Sequence, residues 1–148
     1  MNRIRVTKIF PFEMAHALHG YDGNCAQIHG HSYRLHVTII GHPISDSGSP
    51  KLGMVIDFGD LKKIVNERII SKLDHALVLS KAGGSVYSEA KEPLQRALYM
   101  DFQPTCENLI SYISSELRPY FSSEVSLHSL RLEETATSFA EWFAMDND

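Results

Sequence analysis

His29-Gly30-His31 is the segment of this sequence with the most chemistry in it. In an extended chain, residues i and i+2 point to the same side, so the two imidazoles converge on one small ion, and Gly30 keeps bulk from between them. His16 sits at the far end of an earlier β-like run, and pairing of the two runs as a hairpin carries it to the same place. Three histidines around Zn²⁺ leave a fourth tetrahedral position for water or substrate, the arrangement of a catalytic rather than a structural zinc. Taken alone, His-Gly-His also reads as polar positions on a sheet surface. Of the eight histidines, His19, His36, His42 and His128 show no such pattern and are assigned surface or structural roles.

Cys25 lies four residues before His29. A thiol beside a dication has a lowered pKa and serves as a base; it equally reads as a ligand, or as an inert small hydrophobe. Cys106 falls in the first turn of an amphipathic helix, where packing accounts for it. Asp74-His75 offers a carboxylate and an imidazole able to relay protons near neutral pH. Glu134 shares a strand face with Leu130 and Leu132, which draws it inwards, where a pair of N–H donors on a flat heterocycle would satisfy it. Glu133, beside it, reads as an edge glutamate in water.

These residues need elements to hold them. Ile4 to Ala15 reads as a strand with Ile4, Val6, Lys8, Phe10, Phe12 and Met14 on one face, and Pro11 indicates an edge position or a bulge. Ser32 to Ile40 is a second strand, paired to the first across the Gly20-Tyr21-Asp22-Gly23-Asn24 turn region. Gly41 to Gly53 is an exposed connection leading to a short strand at Met54-Val55-Ile56. A helix begins after Asp57, with Leu61, Ile64, Val65, Ile69 and Leu73 on its buried face. Another starts at Pro104-Thr105 with Thr105 as N-cap, and buries Leu109, Ile113 and Leu117 before Pro119. Val125 to Thr135 is a strand whose alternation changes phase near His128-Ser129, marking a bulge, and Ser138 to Phe143 adds a last one. Ser80 to Gln103 is the least regular stretch, with a strand at Ala97 to Phe102. The order predicts an α+β domain spanning 1–148, antiparallel, with helices on one face.

Composition narrows the classes. A chain of 148 residues is one domain's worth of core. A net charge of −4 argues against a general nucleic-acid binder. Two distant cysteines argue against a disulfide-stapled secreted module, and no apolar run is long enough to cross a bilayer. The expectation is a cytoplasmic protein with reduced thiols, bound to neither nucleic acid nor membrane.

Six segments fall in an order that matches one family: Phe12-Glu13-Met14-Ala15-His16, Cys25-Ala26-Gln27-Ile28-His29-Gly30-His31, Met54-Val55-Ile56-Asp57-Phe58, Leu73-Asp74-His75, Pro104-Thr105-Cys106-Glu107-Asn108 and Leu132-Glu133-Glu134-Thr135. The chain resembles the 6-pyruvoyl- and 6-carboxy-tetrahydropterin synthases. The resemblance implies a tunnelling fold, with a four-stranded antiparallel sheet and two helices per subunit, and sheets joined into a barrel in a homohexamer built as a dimer of trimers. It implies Zn²⁺ on His16, His29 and His31, Cys25 as general base, and Asp74 with His75 as proton relay. Glu134 would anchor the pterin, with Thr105 and Glu107 near it. The substrate implied is dihydroneopterin triphosphate. Three residues between Cys25 and His29 look like the bacterial carboxy-forming enzymes of queuosine and 7-deazapurine synthesis; pyruvoyl-tetrahydropterin formation is the alternative product. A zinc hydrolase, and a non-catalytic zinc-stabilised oligomer, are readings from other classes. Glu13 and Met14 depart from the family's small residues before the first histidine, which puts the pocket shape there in question. A triphosphate needs cations, and Lys8, Arg34 and Lys51, which lie near the motif-bearing strands, are candidates.

Overall fold

The computed structural model describes residues 1–83 and 96–148. Its backbone is one six-stranded sheet: β1 (Ile4–His16), β2 (His29–Gly41), β3 (Ala76–Ser80), β4 (Ala97–Met100), β5 (Val125–Glu133) and β6 (Phe139–Phe143), in the order β4-β3-β1-β2-β5-β6. The β1–β2 hairpin is antiparallel over its full length, from Ile4 opposite Gly41 to His16 opposite His29. β2 with β5 and β5 with β6 are also antiparallel.

Two strands exceed the four-stranded antiparallel sheet expected. β3 and β4 extend the β1 edge in parallel, so the sheet is mixed. β3 is a short, nearly continuous apolar run between the first helix and the irregular stretch, without the alternation that marks a half-buried strand. It covers only Met14 to His16 of β1, so Pro11 lies where that edge has no strand beside it and its missing N–H costs nothing. No strand forms at Met54-Val55-Ile56. That segment closes a turn through Gly53 N–H to Ile44 O and Ile44 N–H to Met54 O, both 2.9 Å, while Val55 drops into the core. The expected bulge is present: the β2–β5 register slips between Thr38 and Ile39, which face Ser129 and Leu127 and leave His128 as the extra residue. Much of the Ser80 to Gln103 expectation falls on residues 84–95, outside the described residues.

Both longer helices lie on one sheet face. α1 (Phe58–Val65) starts at Asp57, whose side chain accepts from Gly59 N–H, and continues through a π-helical turn (Asn66–Ile70) into α2 (Ser71–Leu73). Leu61, Val65, Ile69 and Leu73 are spaced by four and all fully buried. An α-helix turns through more than a full circle in four residues, so such a stripe drifts by about 40° per step; the wider π turn takes up that drift. α3 (Cys106–Leu117) is capped by Thr105, whose hydroxyl accepts from Asn108 N–H. Its stripe of Leu109, Ile113 and Leu117 packs with α1 against Phe10, Phe12, Tyr33, Leu35 and Val37 in one core cluster.

Candidate metal centre and cleft

The core face of the hairpin carries even-numbered residues of β1 and odd-numbered residues of β2. Phe10, Phe12 and Met14 continue to His16, and Tyr33 and Leu35 are preceded by His31 and His29, so the histidines occupy the last positions of the core face itself. His16 is 2% exposed. It and His29 are direct ladder partners, with His31 diagonal, and the three offer ligand nitrogens within 4.8 Å of one another.

Their hydrogen bonds fix which nitrogens are free. His16 Nδ1 lies 2.7 Å from Pro104 O and His29 Nδ1 lies 2.8 Å from Gln27 O. A carbonyl only accepts, so both rings are protonated at Nδ1 and present lone pairs at Nε2. Those two Nε2 atoms stand 3.1 Å apart, and His31 Nε2 is buried with no hydrogen-bond partner among the described residues. Facing lone pairs with no proton between them repel. A tetrahedral cation with N ligands at zinc distances separates its ligands by about 3.3 Å, so this donor set fits one. Burial, and then the neighbouring His29 and His31, hold the His16 pKa below its ordinary value against the opposing Pro104 contact and Glu134, which favours the neutral, ligating form.

A cleft of about 300 Å³ opens beside His16, lined by Cys25, Thr105, Cys106, Glu107, Glu134, Phe139 and neighbours. Five parts of the chain build it: the end of β1, the β1–β2 loop with its short 3₁₀ turn Asn24–Ala26, the first turn of α3, the end of β5 and the start of β6. Glu134 is half-buried and lines the cleft, and its N–H donates to Ser138 O. Cys25 is a half-buried free thiol. Cys106, given no role from sequence, is a second thiol in the wall. Its Sγ–H donates to Leu132 O at 3.3 Å, and burial pushes its pKa up to about 11. Arg131 stacks over the Phe139 ring at 3.6 Å, stiffening the rim.

Asp74 and His75 stand elsewhere. His75 lines a second, shallower cleft with Glu13, Met14, Gly30 and His31, so the histidine cluster lies between the two clefts and Cys25 shares neither wall nor cavity with His75. His75 takes a positive φ of 61°, which few residues other than glycine tolerate. Its N–H donates to Glu13 O at 2.6 Å, while Glu13 N–H donates to Asp74 Oδ1 at 2.9 Å. Glu13 and Met14 thus shape this second cleft and leave the Cys25 cleft alone. Glu133 is a correction: its side chain is 17% exposed and lies 3.1 Å from His36 and 3.4 Å from Arg34. Lys51 pairs with Asp57 and Asp60, and none of Lys8, Arg34 and Lys51 lines the Cys25 cleft. Sequence reading missed Tyr33 and Pro104. Strand parity places Tyr33 on the histidine face; nothing local marks the Pro104 carbonyl, 88 residues from the ring it holds.

A sequence model described as 6-pyruvoyl tetrahydropterin synthase matches residues 5–144. The chain belongs to this family. Within it, the chain is 36% identical over 141 residues to the Haemophilus influenzae protein named 6-carboxy-5,6,7,8-tetrahydropterin synthase, covering 93% of this chain and 97% of that one. A Rickettsia typhi protein of the same name is 31% identical, covering 93% and 99%. This likeness is to the carboxy-forming branch of the pterin synthases. The Caenorhabditis elegans 6-pyruvoyl tetrahydropterin synthase structure superposes with a TM-score of 0.70 at 22% identity, covering 97% of each chain, and shares the α+β tunnelling fold. In this member of the family the cleft brings His16, the Cys25 thiol and the Glu134 carboxylate together.

Proposed function

We propose that this chain is a zinc-dependent 6-carboxy-5,6,7,8-tetrahydropterin synthase, a lyase that converts 7,8-dihydroneopterin triphosphate and water to 6-carboxy-tetrahydropterin, acetaldehyde and triphosphate in queuosine (7-deazapurine) biosynthesis. The observation that carries this reading is the convergence of His16, Cys25 and Glu134 on one cleft in a chain whose relatives bear that name.

His16, His29 and His31 are the residues that would hold zinc, their rings locked by Pro104 O and Gln27 O. Bound there, zinc supplies a Lewis acid that orients the substrate's side-chain hydroxyls and acidifies the adjacent C–H protons. Glu134 receives the paired N–H groups of the pterin ring, which needs a carboxylate in a walled cleft. Thr105 and Glu107 shape the same wall from the start of α3. Cys25, as thiolate, takes a proton from the side-chain carbon; Cys106, kept protonated by burial, does not compete. Asp74 steadies His75 as the second proton carrier. That pair is exposed, 38% and 72%, and lies away from Cys25, so it would complete the cleft of a neighbouring copy in the homohexamer, a dimer of trimers, that the family resemblance implies.

The test is product analysis by mass after incubating zinc-loaded protein, and a Cys25→Ala variant, with dihydroneopterin triphosphate. Carboxy-tetrahydropterin with acetaldehyde, absent from the variant, is the expected result. Pyruvoyl-tetrahydropterin without acetaldehyde would move the chain to the pyruvoyl reaction named by the family, and no turnover with zinc bound would overturn both.

A further inference from the structure

Tyr33 lies two residues beyond His31 on the core face of β2 and is fully buried. Its ring stacks on Phe12 with centroids 5.1 Å apart and meets His16 and His31 edge-on at 6.2 and 5.6 Å. Packing accounts for the ring and not for the hydroxyl: the phenolic oxygen is buried and has no hydrogen-bond partner among the described residues. A buried hydroxyl left unpaired costs on the order of 1–3 kcal/mol, so a phenylalanine would suit a purely structural position better.

The strand register names the partner. β2 and β5 pair Leu35 with Leu132 and Arg34 with Glu133; one step further, Tyr33 faces the Glu134 position on the core side, where directly opposite side chains start about 5 Å apart. Glu134 lines the cleft, whereas Tyr33 is fully buried and outside its lining. We propose that Tyr33 is a positioning residue: with a ligand seated in the cleft, its hydroxyl, unpaired in this structure, donates to one oxygen of the Glu134 carboxylate and holds the group aimed at the ligand. In such a pair the phenol O–H donates and the carboxylate accepts. This inference rests on Glu134 as the acceptor of the pterin ring.

The test removes one oxygen. Zinc-loaded wild type, Tyr33→Phe, Glu134→Gln and the double variant are titrated with neopterin by its fluorescence, and KM and kcat are measured with dihydroneopterin triphosphate. Tyr33→Phe is expected to weaken neopterin binding and raise KM on the order of tenfold, the worth of a hydrogen bond to a charged group, with kcat within about twofold and zinc content and melting temperature retained. In the Glu134→Gln background the same substitution is expected to add nothing, since Tyr33 acts through Glu134. Undiminished binding by Tyr33→Phe, or an equal loss in both backgrounds, overturns the inference and leaves the proposed function standing. A Tyr33→Phe protein that unfolds or loses zinc also counts against it, because a hydroxyl that only aims Glu134 is dispensable to both. Wild type that binds no pterin overturns the functional reading, and this inference with it.

Discussion

The Cys25 cleft and the Asp74–His75 corner are built by opposite means. The cleft is an extension of the core: the strand positions that bury Phe12 and Leu35 also present His16, His29 and His31, and α3 closes the wall. The corner has little core beneath its side chains and is held by backbone, through two hydrogen bonds with the Glu13 peptide and one residue at positive φ. Ligand geometry in the cleft is therefore tied to folding itself, whereas the corner spends conformational strain on an exposed imidazole, as functional positions often do.

The contrast can be pressed at several points. If Cys25 is the proposed base, Cys25→Ala should lower kcat by about 10²–10⁴-fold with zinc stoichiometry unchanged, because the thiol lines the cleft and is none of the three histidines; steady-state kinetics and metal analysis decide it. Next, Cys25→Ala and His75→Ala are each expected to be nearly inactive alone and to regain activity after dissociation and joint reassembly, since a mixed oligomer pairs an intact cleft with an intact corner. Failure to regain it would mean that both groups act within one chain. A third effect belongs to the cleft alone. The folded-state pKa of His16 is lowered, so below its ordinary value of 6.5 the unfolded chain binds a proton that the folded chain refuses. Unfolding free energy of the metal-free protein therefore falls with falling pH between 6.5 and the folded value, by up to about 1.4 kcal/mol per pH unit. Urea titrations across that range check it, and His16→Gln should flatten the slope. The smallest effect is at the corner: His75→Gly should stabilise the protein by about 0.5–1 kcal/mol through relief of the positive φ while activity drops, a gain visible by calorimetry.

Which parts were legible in the sequence follows the range of the interactions involved. Alternation carried the hairpin and hence the meeting of His16 with His29, and the change of phase at His128 carried the bulge. The stripe Leu61, Val65, Ile69 and Leu73 reads as plain helix because a spacing of four is also an ordinary helical spacing, and only its repetition over three steps marks the π turn. Ala76 to Leu79 is a continuous apolar run that gives β3 no alternation, and the three apolar residues Met54 to Ile56 are too few to carry a period. Glu133 reads as solvated because two of its partners, Arg34 and His36, come from β2, across the sheet, and only Arg131 from its own strand. The candidate ligands were legible as residue types; the carbonyls that orient them were not, since contact across the fold carries no local sequence signal.

Pro104 illustrates a further consequence. Its carbonyl fixes His16, and the next residue caps α3, so a helix start and a donor nitrogen are set by one peptide. The step from Asp101 to Thr105 is therefore intolerant of length change: one residue gained or lost would withdraw the carbonyl from the ring or shift the cap. The exposed connection from His42 to Gly53 bears no such tie. Over evolutionary time, insertions and deletions should collect in the second stretch and be absent from the first, leaving a ruler of fixed length beside a segment free to diversify.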